Sequence, residues 1–257
     1  MEDIKLWHGD CLEEMKKIAD KSVDCIICDL PYGTTANKWD VIIPFEELWK
    51  EYKRIIKDNG AIVLFANEPF ASYLRLSNIE WYKYDWVWDK KHTTNQLNAK
   101  KQPLRQHELI CVFYKRQCLY NPIMHENRLK RSFIGKINKS QKMSDNYGKQ
   151  YDYISNISNK SKSYPRSIIS QTSVVGNSKE KVSHPTQKPT ALIEYLINTY
   201  SNEGDLILDN TAGSMTTAIA AINTNRKCIC IEKDDKYFEI GSERVRKYLE
   251  NKQLNLF

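Results

Sequence analysis

A chain of 257 residues can bury one large core, or one domain with an insert, and none of its apolar runs approaches the ~20 residues of a membrane span. Its start, Met1-Glu2-Asp3, lacks the basic segment and apolar run of a signal peptide, so the seven cysteines are expected as free thiols in a cytoplasmic setting, not as a disulfide framework. The formal charge of +7 is uneven: residues 115–182 hold 10 Lys and 4 Arg against 4 acids, which leaves the rest slightly acidic and puts the capacity for a polyanion in one segment.

Taken in chain order, Ile4–His8 reads as a short strand and Leu12–Ala19 as a helix by its spacing. Val23–Asp29 is an apolar run that predicts a buried strand. Phe45–Lys57 has the spacing of an amphipathic helix, with Asp58-Asn59-Gly60 as its stop. Ala61–Ala66 predicts a second buried strand, and Glu68–Leu76 a short helix with Pro69 in its first turn. Tyr84–Trp88 and Leu109–Tyr114, aromatic and β-branched, predict two more strands. From Lys115 to Val182 the chain turns rich in Ser, Asn, Lys and Tyr and loses any sustained period. The pattern then returns with a helix at Thr190–Tyr200, a strand at Leu206–Leu208, a helix at Thr216–Ile222, a strand at Cys228–Ile231 and a helix at Asp235–Leu249. Strands alternating with helices predict an α/β domain with a mainly parallel sheet, split into 1–114 and 183–257 by a basic insert at 115–182.

Two motifs carry the chemistry. Asp29-Leu30-Pro31-Tyr32 closes the Val23–Asp29 strand: an acid, a fixed turn and an aromatic suit a planar base held by its amino group and its face. Far downstream, Asp205–Asp209 feeds the small-residue turn Thr211-Ala212-Gly213-Ser214, and a helix opens at Thr216-Thr217. Such a turn lets backbone approach a ligand and offers N–H donors at the helix start. Glu232 follows Asp209 by 23 residues at the end of the next strand, where nucleotide-binding α/β folds place the acid that holds a ribose diol. No GxGxxG and no Gly-Lys-Ser/Thr is present, so neither a dinucleotide fingerprint nor a P-loop applies.

Other residues read as structural. Cys25 and Cys28 form a CxxC inside a strand, which would point them to opposite faces. His107 and His184 lack ligand spacing, and no metal is assigned. Trp86 and Trp88 share one strand face and suit packing. Lys90 and Lys188 are compatible with plain surface positions, and Asn95, Asn98 and Lys100 sit in a polar loop whose residue types suit contact with phosphate.

With these motifs in place, the sequence resembles the β-type of S-adenosylmethionine-dependent DNA amino-methyltransferases, in which the catalytic motif precedes the cofactor motif. The resemblance covers about 1–114 and 183–257. It rests on Asp29-Leu30-Pro31-Tyr32-Gly33, Trp86-Val87-Trp88-Asp89-Lys90, His107-Glu108-Leu109-Ile110, His184-Pro185-Thr186-Gln187-Lys188-Pro189, Asp209–Thr217 and Glu232. Gly33-Thr34-Thr35 through Trp39-Asp40 is similar to a phage-like subgroup of adenine methylases.

The resemblance implies a seven-stranded, Rossmann-like methyltransferase fold with a circularly permuted motif order. It implies that Asp29 and the Leu30 carbonyl take the target amino group, with Pro31 fixing the turn and Tyr32 stacking on the flipped base. It puts Asp209, Thr211, Gly213 and Ser214 in the donor loop, Glu232 on the ribose hydroxyls, and Asp10 and Cys11 at the donor's adenine. Thr186 and Lys188 would stand beside the methionine moiety. Segment 115–182 would recognise double-stranded DNA, and two copies would pair as a homodimer.

The chain departs from the family pattern twice. Leu30 replaces a commoner proline, a mild change where only the carbonyl is used. Met215 replaces the last glycine of Phe-x-Gly-x-Gly. If that position has φ > 0, methionine adds about 1–2 kcal/mol of strain and brings a long side chain near the donor.

The reaction expected is methyl transfer to adenine N6 after base flipping. An exocyclic amine is a poor nucleophile because its lone pair is delocalised. Acceptors at Asp29 and Leu30 favour its tetrahedral form and the positive charge that develops. Cytosine C5 chemistry needs a cysteine after proline, and no Pro-Cys occurs. N4-cytosine methylation shares the fold, and the acid at the first motif position leans toward adenine. A non-catalytic DNA-binding relative marked by Met215, and a methylase of protein glutamine or RNA, where Asn is usual at that position, are the remaining alternatives.

Overall fold

The computed structural model describes residues 3–35, 37, 40–126, 162–176, 178, 180–182 and 186–254. Two compact units emerge: residues 1–121 with 166–257, and residues 122–165. In the second unit the described residues form a two-stranded antiparallel pair, in which His125 and Glu126 face Ser163 and Lys162.

The large unit is a sheet covered on both faces. Its strands are β1 (Ile4–His8), β2 (Val23–Cys28), β3 (Ile56–Ala66), β4 (Tyr82–Thr94) and β5 (Arg105–Phe113), with β6 (His125–Glu126) and β7 (Lys162–Ser163) belonging to the small pair. β8 (Ile168–Ser170), β9 (Leu206–Asp209) and β10 (Lys227–Glu232) complete it, in the order β1-β10-β9-β2-β3-β5-β4-β8. Neighbours are parallel except where β5 meets β3 and β4. The expected seven strands are there, and β8 makes an eighth, parallel to β4 through Val87–Ile168 and Asp89–Ser170. The chain returns to the large unit at Arg166, and Ile168 and Ile169 join the ladder of β4.

Helices α1 (Cys11–Met15), α2 (Phe45–Ile55) and α3 (Phe70–Ser77) cover one face; α4 (Thr190–Tyr200), α5 (Thr216–Asn223) and α6 (Asp235–Leu254) cover the other. Period-2 alternation sorts the strand residues: Cys25 and Ile27 point into the layer of α4 and α5, Ile26 and Cys28 into that of α2 and α3. The two cysteines of the CxxC thus lie on opposite faces, and all seven cysteines are free and buried. Trp86 and Trp88 are core residues, their indole N–H groups donating to the Tyr200 hydroxyl and the Gln171 carbonyl at 2.6 and 2.7 Å.

Element ends differ from expectation where turns are absorbed into the sheet. α2 stops at Ile55, not Lys57, and Asp58-Asn59-Gly60 lies within β3. There Val23 pairs with Ile56 but Cys25 with Ala61, so residues 57–60 bulge out of the ladder. Gly60 is required at this bulge, since a β-carbon would sit 2.8 Å from the Asp24 carbonyl oxygen. α1 is shorter than Leu12–Ala19, and β4 extends past Trp88 to Thr94.

Candidate active site

β9 and β2 are adjacent parallel strands, and the chain leaves their carboxyl ends toward opposite faces of the sheet, the crevice where open α/β sheets bind ligands. The two motifs, 180 residues apart, meet there. The Thr211 hydroxyl donates to the Asp29 carbonyl at 3.1 Å. Behind it, the Cys28 thiol and the Tyr52 hydroxyl both donate to Asn210 Oδ1, at 2.7 and 2.6 Å.

Asp29 stands just beyond β2 with both oxygens engaged. The Tyr32 hydroxyl donates to Oδ1 at 2.7 Å and the Lys188 ammonium to Oδ2 at 2.7 Å. Burial raises the Asp29 carboxyl above its ordinary value; Lys188 works against this and Glu108 adds to it. The Tyr32 ring stacks on Phe70 of α3, with centroids 4.9 Å apart. Leu30 is buried and Pro31 half-buried.

Asp40, which the sequence analysis noted without a role, organises this loop. Its carboxylate accepts four backbone N–H bonds, from Tyr32, Gly33, Thr34 and Thr35, at 2.7–2.9 Å. Burial alone would raise its pKa, but a side-chain hydrogen bond from Thr35 and the N–H groups of Gly33, Thr35 and Thr34 hold it below the ordinary range. Trp39 lies outside the described residues.

Lys188 is no surface lysine. Its side chain is 11% exposed, 3.2 Å from Glu108 Oε2 on β5 and over the rings of Phe65 and Trp88. Glu108 Oε1 is in turn 3.2 Å from Lys90 at 6% exposure, so Asp29, Lys188, Glu108 and Lys90 form one buried chain of alternating charge. Burial would depress the Lys188 ammonium, but the two carboxylates hold it above its ordinary value. Burial likewise raises Glu108, yet Lys188 and Lys90 together bring it below the usual range. The surface reading of both lysines is thus corrected: an acid, Glu108, inside the apolar strand β5 was the signal that a cation must be buried with it. Thr186 is exposed, and His184 and Pro185 lie outside the described residues.

On the other side of the crevice, Asp209 is buried at the end of β9 and accepts from the Thr217 hydroxyl at 2.5 Å and the Thr211 N–H at 3.2 Å. Burial pushes it up to about 7, aided by Asp29 and Glu232. Glu232, at the end of β10, accepts the N–H groups of Gly213 and Asp234 at 2.7 and 2.8 Å, and burial raises it as well. The β1 end joins this group through the Gly9 N–H on the Glu232 carbonyl. Asp10 caps α1 at the Leu12 N–H and pairs with Lys233 at 3.0 Å; Cys11 is buried beside Asn210.

Met215 has φ +57°, the left-handed conformation that the glycine of the family pattern would take freely. Its side chain is fully buried, packed toward Gly241 of α6 instead of the crevice. Arg244 of α6 clamps the same loop, donating to the Ser214 carbonyl and the Thr216 hydroxyl at 2.8 and 2.9 Å.

Residues 23–243 match the family model described as DNA methylase. The chain belongs to this family. This chain is 30% identical to the DNA adenine methyltransferase YhdJ of Escherichia coli (strain K12), over 93% of this chain and 81% of YhdJ. Among solved structures, the M1.HpyAVI–SAM complex aligns with a TM-score of 0.64 at 24% identity, over 94% of this chain and 98% of that one. The PvuII cytosine-N4-specific DNA methyltransferase aligns at 0.66 and 14% identity, over 96% and 90%. The fold is therefore that of the amino-methyltransferases, and it does not by itself separate the two target bases.

S-adenosylmethionine, the donor implied by the family resemblance, fits the crevice of this DNA methylase. Two acids, Asp209 and Glu232, flank a small-residue loop, and Met215, the one bulky residue of that loop, is turned into the core. Among the described residues no group of His, Cys, Asp and Glu is arranged to hold a metal ion.

Proposed function

We propose that this enzyme methylates the N6 amino group of adenine in double-stranded DNA, with the site residues acting as follows. Asp29 and the Leu30 carbonyl hold the flipped base by its amino group, and the Tyr32 ring, backed by Phe70, faces the base plane. Base entry replaces the Tyr32 hydroxyl on Asp29 Oδ1, while Lys188 keeps Oδ2 and the carboxylate stays aimed. S-adenosylmethionine supplies an electrophilic methyl group on a sulfonium. The Asp29 carboxylate stabilises the positive charge that grows on N6 and is the nearest acceptor for the proton that N6 then sheds, a task its raised pKa suits. Asp209, Thr211, Gly213, Ser214 and Glu232 hold the donor, with Asp10 and Cys11 at its adenine end.

The observation that carries this reading is the convergence of Asp29-Leu30-Pro31-Tyr32 and the Asp209–Gly213 loop on one crevice, joined by Thr211. The acid at Asp29 and the adenine specificity named for YhdJ support adenine over N4-cytosine. The basic segment 115–182 is proposed to read the target sequence, and most of it lies outside the described residues. A homodimer and the cytoplasm of a bacterial or phage-infected cell complete the proposal. No helix among the described residues is long and apolar enough to cross a membrane.

The experiment is incubation with S-adenosylmethionine and mixed-sequence duplex DNA, digestion to nucleosides and mass spectrometry, with Asp29→Ala alongside. N6-methylated adenine nucleoside from the native chain alone is the expected product. N4-methylated cytosine would reassign the base, and no product together with no thermal stabilisation by the donor would leave a DNA binder.

A further inference from the structure

Between Lys90 and His107 the chain carries five Lys or Arg residues, two His and no acid. This stretch is an arm. β3 ends at Ala66 opposite Leu109, and β8 ends at Ser170 opposite Asp89. Beyond those points β4 and β5 pair with each other at Asp89–His107 and again at Thr94–Arg105, and the Ser173 N–H still reaches the Lys90 carbonyl at 3.1 Å at the root. Lys91 to His107 is exposed apart from Asn95 and Asn98, which are half-buried in the tip.

The tip is built, not loose. Asn95 takes a left-handed turn at φ +72°, and the Asn98 side chain donates to Asn95 Oδ1 at 2.7 Å. The Asn98 and Gln102 N–H groups bond back to Asn95 and Asn98 at 3.0 Å, and the Thr94 hydroxyl to Arg105 at 3.2 Å. This turn holds Leu97 out at 100% exposure, an arrangement that plain solvation of a loop does not call for.

Two features select the partner. The arm leaves the sheet at the edge where β2 delivers Asp29, since β4 runs in the direction of β2 and β3, and its root, Lys90, belongs to the charge chain that ends on Asp29. The five strand residues from Lys90 to Thr94 span roughly 15 Å at ~3.3 Å each before the tip, against a duplex that carries a charge about every 1.7 Å of axis. Of its cations, Lys90 and Lys91 are taken by Glu108 and Asp89. Lys100, Lys101 and Arg105 form no ion pair with an acid among the described residues and face solvent.

We propose that the β4–β5 arm is a second DNA-binding element, separate from segment 115–182, which lays Lys100, Lys101 and Arg105 on phosphates of the duplex beside the base held at Asp29. The inference rests on the reading of the protein as a DNA methylase. Binding of a mixed-sequence duplex to the full chain, followed by fluorescence anisotropy across a KCl series, tests it. Each phosphate contact contributes about 0.9 to the slope of log K against log salt. Replacing Lys100, Lys101 and Arg105 by Gln is expected to lower that slope by roughly 2 to 3 and to weaken binding at least tenfold at 0.1 M salt. The charge-matched control, Arg246, Lys247 and Lys252 to Gln on exposed parts of α6, keeps the wild-type slope. A wild-type slope in the arm variant overturns the proposal while leaving the DNA reading intact, whereas failure of the native chain to bind DNA overturns that reading. Loss of a dimer in Leu97→Ala, seen by sedimentation with DNA binding untouched, would also overturn it, by assigning the tip to a second copy of the chain.

Discussion

The Lys188 ammonium lies 2.7 Å from Asp29 Oδ2, which ties the acid proposed to hold the base to a residue 159 positions later in the chain. Burial disfavours a charged Asp29, and Lys188 is the main opposing influence. Asp29 must be ionised to accept the amino group, so activity rises with pH through its pKa. Lys188→Met removes the counter-charge and is expected to move the acid limb of the kcat profile upward by about one unit or more, a tenfold loss per unit at a fixed pH below it. Lys188→Arg keeps the charge and restores most of the profile. A pH–rate series on the three proteins decides the matter: an unmoved limb in Lys188→Met would mean that the pair only supports the fold.

Asp40 presents the same logic with backbone donors. Four N–H groups converge on its carboxylate, and hydrogen bonds to a charged group contribute roughly 1.5–3 kcal/mol each at most. Asp40→Asn turns one acceptor oxygen into a donor that faces N–H groups. The expected result is a drop in kcat of tenfold or more with the donor dissociation constant unchanged, because the Tyr32–Thr35 loop belongs to the side of the crevice proposed to hold the base. Isothermal titration with the donor, beside single-turnover methylation, separates these two quantities. The stability that Asp40 adds is present above its unfolded pKa and is lost as pH falls through its depressed native one.

What the sequence revealed, and what it concealed, follows from the range of each interaction. α4 appears over the predicted Thr190–Tyr200, and β9, α5 and β10 within one residue at their ends, since each has its own period and turn residues. Asp29, Asp209 and Glu232 were legible because each stands at the end of such a strand. The Lys188–Glu108–Lys90 chain was not, because its members come from three segments and only the folded sheet brings them within 3.2 Å. β8, three residues in an aperiodic segment, has no pattern of its own and exists by pairing with β4. Asp40 binds main-chain N–H groups, which no side-chain pattern records.

Met215 and Gly241 form a complementary pair. A β-carbon on Gly241 would lie 2.4 Å from Met215 Cγ and 3.0 Å from the Gly213 carbonyl oxygen. The missing side chain on α6 is thus what lets methionine occupy a left-handed position of the Thr211–Met215 loop with its side chain inside the core. Gly241→Ala is expected to destabilise the protein by about 1–3 kcal/mol and to weaken donor binding by pushing on the loop. In a Met215→Ala background the same change should cost much less, so the two effects fail to add. Urea titrations of the four proteins of this cycle measure the coupling, and strict additivity would show that the two sites do not touch in solution.

With Asp209 holding the donor as proposed, donor binding is expected to depend on pH with a definite sign. Burial pushes the Asp209 carboxyl up to about 7, so below that pH the neutral form is favoured. The donor is cationic at its sulfonium and its amino group and favours the ionised form, so affinity should rise with pH up to about 7 and level off above it, by at most about tenfold per unit. Stability without donor has the opposite trend. The native state holds this proton more tightly than the unfolded chain, so the contribution of Asp209 is fully present below about pH 4 and is lost as pH rises through 7. The raised carboxyls of Asp29 and Glu232 act in the same direction. Asp209→Asn is expected to flatten both curves and to leave the donor bound more weakly at pH 8. Thermal melts with and without S-adenosylmethionine from pH 5 to 8 measure the two curves together, and a donor-induced shift equally large at both ends of that range would exclude Asp209 as the group that governs it.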